Sequence, residues 1–406
     1  MQYSNVLLVD NGGFFPEDDV HQPVSWFLMD AMKLLGTDAV GCGDRDLRFG
    51  IAWLKGQVKR TGLPVLCANL YDKNTKKPAL QPYLIKNVNG VKIGIFGLMS
   101  DKADVGPARD SIYVVEPSNV TKTVVSELRK KGATVIVLLS QLGKIESEDL
   151  VTAVDGIDAL IVGRGVPLIQ TGRMVKNTIA CYGGEQGQYV GRTILTLGPK
   201  NKVTAGENEM FVLGPEIPEK KEVADLVRGF EDGFNAMLAK QEKERAAAAG
   251  MRTDSTSLTA DHFLGADMCI RCHPAEGEQW KRTHHAKAWA TLTERHKDST
   301  PDCVPCHVVG YKQPGGYGNN ATGANMTNVQ CESCHGMGTS HDAFGVQNHV
   351  LSTTCMNCHT SSTSPDFNFD KFKPYVDHAH KDSELPPLTS KSVSYTHLTL
   401  PTTPYV

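Results

Sequence analysis

The chain has 406 residues, with 42 Lys and Arg against 45 Asp and Glu, a formal charge of −3. That length predicts two or three folded units at about 150 residues each, and the near balance of charge argues against a nucleic-acid binder or a basic membrane-surface protein. Apolar content of 40% and charged content of 21% exclude wholesale disorder, and no run of 18 apolar residues is present to span a bilayer as a helix.

Residues 1 to about 214 alternate short β-rich runs with helical stretches. Strands are predicted at Asn5–Val9, Pro64–Asn69, Val91–Leu98, Thr134–Ser140, Ala159–Gly163 and Tyr189–Leu197, with helices such as Val24–Leu35, Asn119–Lys131 and Glu146–Val154. Val135-Ile-Val-Leu-Leu139 is a continuous apolar run, as expected of a strand covered on both faces. Strand–helix alternation of this kind predicts an α/β layered domain. Its cysteines, Cys42, Cys67 and Cys181, fall in or near strands and read as buried thiols; a disulfide among them stays open in an oxidising compartment.

Residues 215–260 form a connector. A helix is predicted from about Pro218 to Ala249, because Val223, Leu226, Val227, Phe230, Phe234 and Leu238 recur at three- and four-residue steps. Gly250 is its stop and Thr253–Thr259 a polar linker. One apolar face packing on a domain explains the pattern better than a coiled-coil seam.

From Asp261 to about Leu385 the composition changes: 17 Leu, Ile, Val and Phe in 125 residues, with 12 of the 14 histidines of the chain. So few aliphatic side chains cannot build a core alone. Eight of the 11 cysteines lie here in four pairs, each followed at once by histidine. They are Cys269-Ile-Arg-Cys272-His273, Cys303-Val-Pro-Cys306-His307, Cys331-Glu-Ser-Cys334-His335 and Cys355-Met-Asn-Cys358-His359. One such pattern would arise by chance in roughly one chain in a hundred of this composition. Two thiols three positions apart form thioethers to the vinyl groups of one haem, and the adjoining histidine reaches its iron. Zinc or a redox disulfide would use paired cysteines, but neither needs a histidine after every pair. The pattern therefore predicts four covalently bound haem c groups in residues 261–390, with His273, His307, His335 and His359 as proximal ligands and the porphyrins supplying the missing apolar volume.

His262, His284, His285, His296, His341, His349, His378 and His380 remain as candidates for the opposite axial positions. Methionine ligation by Met268, Met326, Met337 or Met356 would raise potentials, but the abundance of histidine favours bis-histidine iron. The stretch Gln279-Trp280…Thr283-His284-His285-Ala286 and the signature Cys331-Glu-Ser-Cys334-His335-Gly336-x-Gly338-x-x-His341 resemble the tetrahaem cytochrome c family typified by the electron acceptor of hydroxylamine oxidoreductase. The resemblance covers about residues 261–382. It implies His285, His341 and one of His378 and His380, with His378 taken first, as distal ligands, and it allows one five-coordinate haem.

The first 214 residues resemble the metallophosphoesterase domain of secreted 5'-nucleotidases. The matching blocks are Leu7-Leu-Val-Asp10-Asn-Gly12-Gly13, Gly43-Asp44-Arg45-Asp46-Leu47, Pro64–Leu70, Val91–Leu98, Leu139-Ser140-Gln141-Leu142-Gly143 and Gly156-Ile157-Asp158…Gly163-Arg164-Gly165. The family holds two metals with Asp, Asn and His groups to activate water. By the resemblance its bridging aspartate falls on Gly13, its Asn-His pair on Asp44-Arg45, one histidine on Gln141 and its Gly-His block on Gly163-Arg164. The expectation is a non-hydrolytic domain in which Arg45 and Arg164 pair with Asp10, Asp44 and Asp46, an anion bound by the two arginines in the old cleft being the alternative.

The fold class expected is thus an α/β layered metallophosphoesterase-like domain, a connector helix and a mostly α/irregular multihaem cytochrome c domain. Haem attachment takes place outside the cytoplasm, so a periplasmic or extracellular location is expected. Met1–Asp10 is no signal peptide, which predicts a trimmed N-terminus, and residues 391–406 read as a non-native tail. The function expected is electron transfer with redox partner proteins, the α/β domain serving as scaffold or docking module and no residue being catalytic. The rivals are a haem oxidoreductase acting on a small nitrogen or sulfur species at a five-coordinate iron, and a metal-dependent nucleotide phosphohydrolase fused to a cytochrome.

Overall fold

The computed structural model describes residues 5–378 except 167–168, 184–186, 214–216, 250–260, 296, 299, 301, 319–324, 340–349, 361–362 and 365. Two compact units divide at Leu226/Val227, inside the long helix Lys221–Ala249.

In chain order the strands of the first unit are β1 (Val9–Asp10), β2 (Ala39–Gly41), β3 (Val65–Leu66), β4 (Leu70–Asp72), β5 (Tyr83–Val88), β6 (Val91–Met99) and β7 (Ile112–Val114). They continue with β8 (Val135–Gln141), β9 (Ala159–Val162), β10 (Arg173–Val175), β11 (Thr178–Tyr182), β12 (Tyr189–Leu197) and β13 (Val203–Val212). A parallel sheet of order β1-β2-β3 faces a six-stranded sheet of order β10-β11-β9-β8-β6-β5, parallel at its centre and antiparallel at both edges. Helices α1 (Gln22–Leu35) and α2 (Ile51–Thr61) cover the small sheet, and α3 (Pro117–Lys130) and α4 (Lys144–Ala153) cover the large one.

The two-residue period of a strand explains why β8 is apolar throughout. Ile136 and Leu138 point to the layer holding Val124 and Leu128 of α3 and Leu150 and Val151 of α4. Val135, Val137 and Leu139 point the other way, into the layer between the sheets with Ala39, Leu66 and Ile95. A third layer joins Met29 of α1 and Leu54 of α2 to Val40 and Val65. Helix, sheet, sheet, helix is the resulting stack. It brings the carboxyl ends of β1, β2 and β8 to one edge, where residues 10–13, 42–46 and 140–143 leave the strands.

The second unit has a different construction. From Val227 onward the long helix belongs to it: Phe234 and Leu238 are buried, the Thr300 hydroxyl donates to Asn235 Oδ1 at 2.9 Å, and Lys297 pairs with Glu231 at 3.3 Å. After this long helix, α5 (Lys221–Ala249), short helices follow: α6 (Ala266–Cys272), α7 (Pro274–Arg282), α8 (Ala288–Thr293) and α9 (Cys331–His335), then turns at Ser352–Met356 and Phe369–Phe372. Its described apolar clusters are two and small, one around Phe263, Val309 and Met326 and one around Leu292, Val304 and Val308. Among the described residues no helix is long and apolar enough to cross a membrane.

Candidate functional site

Each Cys-x-x-Cys-His stretch forms one tight helical turn. The His273 amide donates to the Cys269 carbonyl at 2.9 Å, and the Cys306 and His307 amides donate to Cys303 and Val304 at 3.3 and 2.9 Å. The third motif is the whole of α9, and in the fourth the Cys358 and His359 amides both donate to the Cys355 carbonyl. Three residues turn a helix by about 300°, so the two thiols of a motif project nearly alongside each other and the histidine follows on the next face. All eight motif thiols are half-buried or exposed, whereas Cys42, Cys67 and Cys181 are buried. Burial pushes the Cys67 and Cys181 thiols up to about 12 and about 11, so those three read as inert thiols.

The imidazoles pair across motifs. His285 lies 6.2 Å, ring centre to ring centre, from His359, and His378 lies 6.2 Å from His335 with the rings 18° from parallel. A metal–imidazole bond of about 2 Å on each side, plus about 1.15 Å from ring nitrogen to ring centre, puts two axial imidazoles about 6.3 Å apart. Both pairs therefore stand at the separation that one iron between them would need. Three of the candidate imidazoles have Nδ1 tied by a hydrogen bond, as is common for ligand histidines. His378 Nδ1 is hydrogen-bonded to Gln279 Oε1, His359 Nδ1 to Ser364 Oγ at 2.9 Å, and His307 Nδ1 to the Ala288 carbonyl at 2.7 Å. Burial, with His359, His284 and His307 nearby, pushes the His285 imidazole down to about 4. That keeps it in the neutral form a metal binds.

Two thiol contacts show which motifs are neighbours. The Cys269 thiol lies beside that of Cys331, and the Cys306 thiol beside that of Cys358. The first motif thus lies against the third and the second against the fourth. Of the distal candidates named from sequence, His285 and His378 each face a motif histidine; His341, with His296, His349 and His380, lies outside the described residues. Gln279 was not foreseen as a functional residue. Its position beside Trp280 was the available signal, since the Trp280 indole donates to Val329 at 2.8 Å and fixes that turn of α7.

In the first unit the cleft at the strand ends is filled by protein groups. The Gln141 amide donates to the Asn11 and Gly12 carbonyls at 2.8 and 3.1 Å. A Cβ on Gly13 would stand 3.3 Å from Gln141 Nε2, and one on Gly163 would stand 2.4 Å from Asn11 Nδ2. The carboxylates are engaged as well. Asp46 accepts the Gly13, Phe14 and Gly43 amides at 2.6, 3.2 and 2.8 Å, and burial, outweighing those bonds, pushes its carboxyl up to about 7. Arg164 pairs with Asp44 at 3.3 Å, as expected, but Arg45 turns outward to Glu17 at 2.7 Å, because Asp46 and Asp10 are already served by main-chain amides. Among the described residues no cluster of three or more His, Cys, Asp or Glu is arranged to hold a metal ion. These donors do not fit a two-metal centre.

Residues 268–336 match the family of cytochrome c554 and c-prime. Cytochrome c-554 of Nitrosomonas europaea is 41% identical over 109 residues, 23% of this chain and 46% of that protein. A 5'-nucleotidase of Vibrio cholerae is 30% identical over 153 residues, 36% of this chain and 27% of that one. Among solved structures, the 5'-nucleotidase precursor of Thermus thermophilus superposes with a TM-score of 0.53 at 23% identity, covering 58% of this chain and 51% of that chain. The sulfate thiohydrolase SoxB of Thermus thermophilus superposes at 0.51 with 16% identity, covering 68% and 49%. The front of the chain therefore has the metallophosphoesterase-like α/β fold, and the rear resembles a cytochrome c. The chain spans from about a quarter to about half the length of these relatives.

Proposed function

We propose that the chain is an exported electron-transfer protein with four covalently bound haem c groups. The observation that carries this reading is the pair of cross-motif imidazole couples at 6.2 Å, set among four Cys-x-x-Cys-His turns. When bound, each haem supplies a one-electron couple. The chain's own groups do the rest. The cysteine pairs would anchor the porphyrins, His335 with His378 and His359 with His285 would supply two imidazoles to each of two irons, and Gln279 and Ser364 hold His378 and His359 in place. Irons held by two imidazoles would leave no position for a substrate and would serve electron transfer alone. The neighbouring of motifs one and three, and of two and four, supports two close haem pairs and so a conduit between redox partner proteins. Thioether attachment takes place outside the cytoplasm, which supports a periplasmic or extracellular location in this reading.

The phosphoesterase-like unit serves in this reading as a scaffold or docking module without hydrolytic activity, since amides and glycines stand where metal ligands are needed. A pyridine haemochrome assay with redox titration tests the proposal: four c-type haems per chain are expected, and fewer would overturn the count. Release of phosphate from a nucleoside monophosphate with manganese or zinc would overturn the scaffold role.

A further inference from the structure

Glu332 sits between the cysteines of the third motif, where a carboxylate on a short helix is expected to face water. It is instead 4% exposed. Its Oε1 accepts the Leu264 and Gly338 amides at 2.9 and 2.7 Å, and its Oε2 accepts the Gly265 and Leu264 amides at 2.7 and 3.1 Å. Gln330, on the other side of Cys331, adds its Oε1 to the Ala266 amide at 2.6 Å, while its Nε2 donates to the Asn325 and Thr327 carbonyls at 2.8 Å each. The two side chains that flank Cys331 thus grip the start of α6, the helix that carries Cys269 and Cys272.

Both Glu332 oxygens only accept, which is the hydrogen bonding of an anion. Among the described residues no Lys, Arg or His side chain pairs with it. Glu332 follows Cys331 in the chain, and Gly265, whose amide it accepts, receives the Cys269 thiol at its own carbonyl at 3.8 Å, so the carboxylate stands close to the cysteines of two motifs. A ferric haem carries one more positive charge than a ferrous haem, and an unneutralised buried anion acts strongly at short range in a low dielectric.

Building on the carrier reading above, we propose that Glu332 holds the first and third haem motifs in register and lowers the reduction potential of the two haems they bear. It acts as a positioning and electrostatic residue, with no contact to any reacting molecule. The test uses the full haem-loaded chain, with haem counted by pyridine haemochrome and potentials read by optical redox titration. In Glu332→Gln, two titration components are expected to shift to more positive potential while the others stay in place and the haem count is unchanged. In Glu332→Asp, which keeps the charge, all components are expected to remain at wild-type positions. A haem-loaded Glu332→Gln whose titration overlays the wild type would overturn the proposal and leave the carrier reading standing. Should Glu332→Gln fail to mature, Glu332→Met, of similar length and without charge, decides: two components moved to more positive potential uphold the proposal, and wild-type positions overturn it. A wild-type chain without thioether-bound haem would overturn both.

Discussion

His378→Ala removes the ring that faces His335 at 6.2 Å and leaves the third Cys-x-x-Cys-His turn untouched. One haem should lose its sixth ligand and keep its thioethers. With four motifs in the chain, about one quarter of the ferric haem should pass from low to high spin. His285→Ala should convert a second, separate quarter, because its partner is His359, and the two effects should add as independent sites do. A milder version acts through Gln279, which is 8% exposed, accepts from His378 Nδ1 and is itself held by the Asp377 carbonyl at 3.1 Å. Loss of such an orienting group weakens a metal ligand about 10- to 100-fold, or about 1.4–2.7 kcal/mol. Gln279→Leu should therefore leave the haem low-spin at rest but let an added ligand such as imidazole or cyanide displace His378 at correspondingly lower concentration. Electron paramagnetic resonance and optical titration read both variants. If His378→Ala retains its haem and shows no new high-spin signal, the axial pairing derived from the ring geometry is wrong.

Three further outcomes are expected. Replacing all eight motif cysteines with serine should abolish cooperative melting of the second unit, whose described apolar clusters have only three buried members each, and leave that of the first; a surviving second calorimetric transition would show that side chains alone suffice. Cys42, Cys67 and Cys181 should resist iodoacetamide at neutral pH until the protein is denatured, since burial raises all three thiols; labelling of the native chain, counted by mass spectrometry, would contradict the packing. Asp46, at about 7 when folded and about 3.9 when unfolded, binds more protons in the native state between those values, so the stability of the first unit should fall as pH rises from about 4 to about 7, by roughly 4 kcal/mol at most. Asp46→Asn should flatten that slope in denaturant titrations, and an unchanged slope would assign it to other groups.

Local patterns were legible in the sequence and long-range pairings were not. The Val135–Leu139 run reads as a doubly covered strand because every residue in it is apolar, and β8 is buried along its length. The Tyr189–Leu197 strand also agrees with β12. Its partner β13 was missed because Gly206, Glu207, Asn208 and Glu209 have poor strand propensity, and it forms by pairing in the hairpin. Helix α2 was missed as well, with Gly56 in its middle weakening the helical signal. At the candidate site, a Cys-x-x-Cys-His turn is complete within five residues. The match of His285 with His359, by contrast, depends on how distant turns pack. Glu332 was hidden for the same reason: its burial comes from the Leu264–Gly265 backbone, which nothing near it in the sequence announces.

The two populations of cysteine bear on how such a chain is assembled. Domains fold as they emerge, amino-terminal part first, so the front sandwich can close over its three sulfurs before the rear segment is complete. If the motifs carry haem as proposed, its attachment would then meet only the eight half-buried or exposed sulfurs of the motifs. Burial of Cys42, Cys67 and Cys181 in the first unit would keep those sulfurs from cross-linking to the porphyrin.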